Sequence, residues 1–234
     1  METLQSGNSP GTRIAAGDSV LEAGKSTDTR PVAGRLAGFT KIQASYSAAA
    51  AVVKKASEAL QKQQARVAEA DLTQDTAVAG LADALPLDGL PRLNPFKPFG
   101  ALAPTKLQGL GYAEEAKAVL LLEKAVLKHK NLSKGSAAAA KAAGKAALTV
   151  QTELEAIPKL EQARTAAITR RDALAQPWET AFAGLKRAAR AAEDDGAKGL
   201  YGVLFERAKA APKRKKAGAA KKKAGAARTS ALPR

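Results

Sequence analysis

Between Phe39 and Ala84 the chain holds one apolar register through seven consecutive heptads. Every seventh residue reads Phe39, Tyr46, Val53, Leu60, Val67, Gln74 and Leu81. Three residues on from each stand Ile42, Ala49, Ala56, Gln63, Ala70, Ala77 and Ala84. A repeat of this kind marks a helix whose apolar seam is covered along its length by another helix. A helix from about Arg35 to Leu85 would be roughly 75 Å long. Alanine at one seam position lets two helix axes approach closely, so the pattern predicts a tightly packed antiparallel partner. The expected fold class is therefore all-α: an elongated antiparallel helical bundle or coiled coil with disordered termini. The two glutamines weaken the seam, and Asp71-Leu72-Thr73-Gln74 also reads as a capping box that could break the helix there.

The segments around this seam have different characters. Residues 1–34 are rich in Ser, Thr, Gly and Asp without a sustained period, and are expected to be disordered. After the seam, residues 86–111 form a long connection carrying Pro86, Pro91, Pro95, Pro98 and Pro104. Its apolar residues Leu85, Leu87, Leu90, Leu93, Phe96 and Phe99 imply that it packs on the body. A second helix is expected over 113–130, a tight turn over 131–135, and a third helical region over 136–192 interrupted at Pro158 and Pro177. Pro177 has the character of a first-turn proline that restarts a helix. Gly196 and Gly199 mark a further turn before a short helix over 200–210.

The bundle thus spans 35–206. A faint internal repeat runs through it, since Thr76-Ala77-Val78-Ala79-Gly80-Leu81 recurs as Thr180-Ala181-Phe182-Ala183-Gly184-Leu185, an offset of 104 residues. On that reading the body has two halves, 35–85 and 136–194, with Gly80 and Gly184 at close helix crossings.

Residues suited to catalysis are scarce. With no cysteine there is no thiol nucleophile, disulfide or usual structural zinc site. The single histidine, His129, lies between Lys128 and Lys130 at an expected helix end and reads as exposed. Glu193-Asp194-Asp195 lacks the ligand spacing of a calcium loop, and Gly109-Leu110-Gly111 is too short for a dinucleotide fingerprint. Trp178 and Phe182, four apart, read as a core contact. No catalytic residue, metal ligand or cofactor is expected. Met1–Thr12 lacks the pattern of a signal peptide, and the apolar run Ala118–Leu122 falls far short of a membrane span. The expected location is the cytoplasm, possible nucleoid association included.

Charge is the remaining signal. Of a net charge of +16, the last 28 residues, Arg207–Arg234, hold 11 Lys/Arg and no acid. Such a segment lacks an apolar face to offset the entropy of ordering, so the expectation is a disordered basic tail. Its candidate nucleic-acid-binding residues are Lys213, Arg214, Lys215, Lys216, Lys221, Lys222, Lys223 and Arg228. The near-repeat Lys-Lys-Ala-Gly-Ala-Ala in this tail resembles the lysine/alanine-rich tails of linker histones and bacterial histone-like proteins, which implies sequence-independent binding to nucleic acid. If about six to eight of these cations each neutralise a phosphate, the log–log salt slope is about −5 to −7. No aromatic residue interleaves the charges, so base stacking and sequence preference are not expected.

A second basic interval, Lys124–Thr152, has six lysines and no acid over 29 residues. The expected function is thus a non-enzymatic helical scaffold, open to homo-oligomerisation, whose tail binds nucleic acid. The alternative is a surface-coating scaffold, because the alanine-rich body with a lysine/alanine tail also resembles the architecture of phasins, granule-coating proteins. Anionic lipid is a third partner for the same charges.

Overall fold

A computed structural model describes residues 2–3 and 9–207. The basic tail with its eight candidate residues, Lys213 to Arg228, lies outside the described residues. The seam forms one uninterrupted helix, α2 (Ala33–Ala84, 52 residues), about 78 Å long at the α-helical rise. None of its 14 seam positions is exposed, and Phe39, Tyr46, Leu60, Gln63, Val67, Ala70, Gln74 and Leu81 are buried. The break expected at residues 71–74 does not occur. Val67, Ala70, Gln74 and Val78 all stay on the covered stripe, and that burial outweighs a local capping preference.

The covering layer is the return of the chain: α5 (Lys134–Glu155), α6 (Ile157–Ala173) and α7 (Ala175–Asp194). Contacts run in opposite directions along the two strands of this hairpin. Gln43 meets Trp178, Ser57 meets Arg164 and Gln63 meets Glu153. The body is therefore an elongated antiparallel all-α bundle. Short breaks divide the return helices at Ala156 and Leu174. Pro158 and Pro177 lie within the first turns that follow, where a missing N–H costs little.

Two apolar clusters sit at opposite ends of this rod. The first surrounds Phe39 and Tyr46 at the start of α2, with Trp178, Phe182 and Leu185 of α7 and Leu200, Tyr201, Leu204 and Phe205 from α8 (Leu200–Phe205). Trp178, wholly buried, stacks on Phe182 with ring centroids 4.9 Å apart, and Phe39 meets both rings at 5.6 and 5.7 Å. The second cluster surrounds Val78, Leu81 and Leu85 at the end of α2, with α4 (Tyr112–Lys128) and the first part of α5. Between the clusters α2 and α6 run as a two-helix waist, and Ala167 is the one buried residue of α6.

The expectation of disorder over 1–34 is corrected from Ser9 onward. Ser9 caps α1 (Pro10–Lys25) in a reciprocal box with Thr12, and Pro10 occupies the first turn. Only Ala16, Gly17 and Val20 of this helix are buried, so its apolar stripe is too thin to show as a period. Polar bonds hold it instead. Gln43 accepts from Trp178 Nε1 at 2.5 Å, while its amide donates to Asp18 Oδ1 at 2.8 Å and to the Ile14 carbonyl at 3.2 Å. Arg13 donates to Glu179 at 2.5 Å and to Tyr46 Oη at 3.4 Å. A two-residue antiparallel ladder pairs β1 (Glu2–Thr3) with β2 (Glu206–Arg207), directly after α8.

Three further expectations change. The 86–111 connection packs through Phe96 and through Leu107 of the one-turn helix α3 (Pro104–Leu107), but Leu87 and Leu93 are 86% and 99% exposed. The short helix expected over 200–210 ends at Phe205. Gly80 and Gly184 have open space around them and do not mark helix crossings. Close approaches occur at Gly17, under the Gln43 amide, and at Gly144, under the Glu123 carboxylate. The 104-residue offset does align burial: Phe39 with Ala143, Tyr46 with Val150, Val78 with Phe182 and Leu81 with Leu185 are buried at both members. The two Thr-Ala-x-Ala-Gly-Leu segments therefore occupy opposite clusters and do not face each other.

This geometry separates two alanine substitutions. Gly17→Ala drives a methyl into the buried, fully bonded Gln43 amide, and thermal or urea unfolding should show a loss of about 1–3 kcal/mol with earlier proteolysis within α1. Gly80→Ala meets nothing in mid-helix and should gain about 0.5–1 kcal/mol.

Candidate polyanion-binding face

The helices α4 and α5 form an antiparallel hairpin at the second cluster. Leu122 and Val126 of α4 and Ala143 and Ala147 of α5 are buried in that cluster. The turn between them is tied to the end of α2, since Ser133 donates to Asp88 Oδ2 from its backbone N–H at 3.0 Å and its hydroxyl at 3.1 Å. Phe99 from the proline-rich connection packs edge-on against His129, with centroids 5.7 Å apart. Ser133 also caps α5 by accepting from the Ser136 N–H. The hairpin is thus fixed in place before its charges are considered.

All six lysines of the acid-free interval are exposed: Lys124, Lys128, Lys130, Lys134, Lys141 and Lys145. Among the described residues none of the six lies within ion-pair distance of a carboxylate. Helical spacing aligns five of them, two on α4 and three on α5. On α4, Lys117, Leu121, Lys124 and Lys128 follow one another at intervals of four, three and four, opposite Val119, Leu122 and Val126. On α5, Lys134, Lys141, Lys145 and Leu148 share the face opposite Ala140, Ala143 and Ala147. Each helix so presents a lysine stripe to solvent.

Lys117 belongs to this face although it precedes the acid-free interval. Glu123 interrupts the run in sequence, but its carboxylate turns inward to rest on Gly144, where any side chain would collide with it. The helical interval from Lys117 to Leu121 and Lys124 was the available signal. His129 is exposed at the C-cap of α4 among these lysines. Trp178 and Phe182, by contrast, are committed to the first cluster.

The opposite electrostatic feature is internal. Asp71, Gln74 and Asp75 of α2 meet Glu115 in the first turn of α4. Gln74 is fully buried beside Glu115, and neither of its amide atoms, nor Glu115 Oε1, Asp71 Oδ1 or Asp75 Oδ1, has a partner at ordinary hydrogen-bond geometry, so the polar contacts among these four are loose. Loss of water raises the Glu115 carboxyl to about 7; the nearby Gln74 amide opposes this, and the charges of Asp75 and Asp71 add to it. Asp71 is raised as well, by burial and then by Asp75. Among the described residues no group of three or more metal-ligating side chains is placed to hold an ion. These acids store an electrostatic cost, and Glu115 lies on the buried face of α4, opposite its lysine stripe.

Comparison of the chain with protein-family models, with curated proteins and with solved structures gives no match in any of the three.

The buried acid yields a signed pH prediction. Glu115 has an ordinary value of 4.5 and a folded value near 7, so the fold favours its neutral form. Its stability penalty is absent below pH 4.5 and grows as pH rises to about 7. Urea denaturation of Glu115→Gln should match the parent at pH 4 and exceed it at pH 8.5. One pKa unit corresponds to about 1.4 kcal/mol, so the gain expected after solvent screening is about 1–2 kcal/mol.

Proposed function

We propose that the protein is a non-enzymatic helical scaffold that binds nucleic acid without sequence preference. The observation that carries this reading is the α4–α5 hairpin, with its six exposed lysines unpaired by acids across 29 residues. Cations of this kind interact with phosphates by releasing condensed counterions, which needs neither a pocket nor a fixed register. Lysine suits the task, since its ammonium acts as a point charge without the planar fork that arginine uses for base readout. The tail adds 11 basic residues with no acid. No Phe, Tyr or Trp stands on the lysine stripes and the one ring beside them, His129, is packed against Phe99, so contact with the phosphate backbone is expected.

Fluorescence anisotropy of a labelled duplex over a salt series tests the reading. The full chain should bind with a steep negative log–log salt slope. Replacing Lys124, Lys128, Lys134, Lys141 and Lys145 by Gln removes exposed charge without touching the core. If three or four of them contact phosphate, the slope becomes shallower by about 3 and affinity falls at least about tenfold. Scrambling the duplex sequence should change affinity less than about threefold. Salt-insensitive binding, or an unchanged affinity in the variant, would refute the proposal.

A further inference from the structure

The end of the rod that carries the lysine hairpin also carries apolar side chains that the fold leaves bare. Here α2 and α4 end, α5 begins, and the proline-rich connection starts. Asp88 of that connection accepts from Ser133 of the hairpin turn, and Phe99 packs on His129, so loop and turn are joined. Leu87, just before Asp88, is 86% exposed, and Leu93 is 99% exposed. Both are held there by their neighbours. Gly89 turns the chain at a φ of 86°, and Leu90 and Phe96 pack on the second cluster. Leu93 lies three residues from each of these, and Asn94 Oδ1 accepts from the Phe96 N–H at 3.2 Å. The loop thus presents two leucines to water on a tethered arc.

Positive charge surrounds them. Asp88 is the one acid between residues 84 and 113, and its carboxylate is engaged by Ser133. Arg92 and Lys97 of the loop are exposed, as are Lys128, Lys130 and Lys134 around the hairpin turn. A phosphate backbone uses such cations but offers a leucine little apolar surface. A protein partner covers a continuous apolar core, whereas Leu87 and Leu93 are set apart by Asp88, Gly89, Pro91 and Arg92. An anionic bilayer accepts both components. Its headgroups attract the cations, and single apolar side chains enter the acyl boundary without a matching pocket. Such a contact needs no spanning helix, and among the described residues none is long and apolar enough to cross a membrane.

We infer that this end of the rod docks on anionic membranes, with Leu87 and Leu93 inserted at the headgroup boundary. Arg92, Lys97 and the lysines of the hairpin turn lie against the headgroups. Insertion requires the leucines, whereas binding of a duplex by the lysine stripes does not, so the two activities are separable.

Vesicle flotation of the full-length protein at physiological ionic strength tests the docking. The protein should float with vesicles of phosphatidylcholine and phosphatidylserine, and stay behind with phosphatidylcholine alone. The double variant Leu87→Ser, Leu93→Ser removes no core contact, and circular dichroism should show it as helical as the parent. Its partitioning should fall at least about tenfold, because each leucine withdrawn from water favours the bound state. Its affinity for a labelled duplex should be unchanged. The remaining cations of the chain also adsorb to anionic vesicles by charge alone, so insertion has its own readout. The chain has no cysteine, and Leu93→Cys therefore carries a single environment-sensitive dye. Its emission should shift to the blue on the mixed vesicles and be quenched by a lipid-borne quencher. If the double variant floats as well as the parent, or the dye emission does not move, the proposal is overturned. Loss of duplex binding in the double variant would assign the leucines to nucleic acid, and loss of self-association by light scattering would assign them to a second copy. Either result overturns membrane docking.

Discussion

An apolar seam of 14 positions cannot be buried by the helix that carries it. That constraint governs the rest of the structure. The seam forces the chain to turn back and run antiparallel for the length of α2, and this return is built from three helices in succession. Wherever large side chains coincide across the pair, a cluster can form and recruit a further helix: α1 and α8 at one end, α4 at the other. Between them the seam is mostly Val53, Ala56 and Leu60, which suffices for two helices and no more. A rod with two thickened ends follows directly from the distribution of side-chain size along one stripe.

The two ends are finished by different means. The first uses aromatic packing together with a hydrogen-bonded staple, in which Gln43 joins Trp178, Asp18 and the backbone of α1. The second relies on alanine and valine at close range, and tolerates a fully buried Gln74 beside raised carboxyls at Glu115 and Asp71. Buried polar atoms without partners are costly. The second end is therefore the place where stability depends most on pH, and it is also the end that carries the lysine hairpin.

The heptad seam was legible because its period is long and unbroken, and it alone gave the fold class and the antiparallel partner. Trp178 and Phe182 were legible as core by their spacing. The helix α1 was not, since three small or medium residues and a glutamine from a distant helix hold it, and neither makes a local pattern. The exposed Leu87 and Leu93 were also beyond reach, because composition cannot tell which leucines of a proline-rich loop turn outward. At the candidate face, the six lysines were found by the absence of acids. Lys117 was missed because Glu123 stands in the linear sequence, while in three dimensions Gly144 draws that carboxylate aside. The tail was legible in charge alone.

A lysine-bearing hairpin fixed on a packed helical body is what the fold contributes beyond the charge itself. The most direct measurement is lysine-reactive footprinting of the full-length protein, read by mass spectrometry with and without duplex. The account predicts that Lys117, Lys124, Lys128, Lys141 and Lys145 lose reactivity together with the tail lysines, while the exposed Lys41, Lys55 and Lys62 of α2 keep theirs. Protection spread evenly along α2, or an unprotected hairpin, would contradict it.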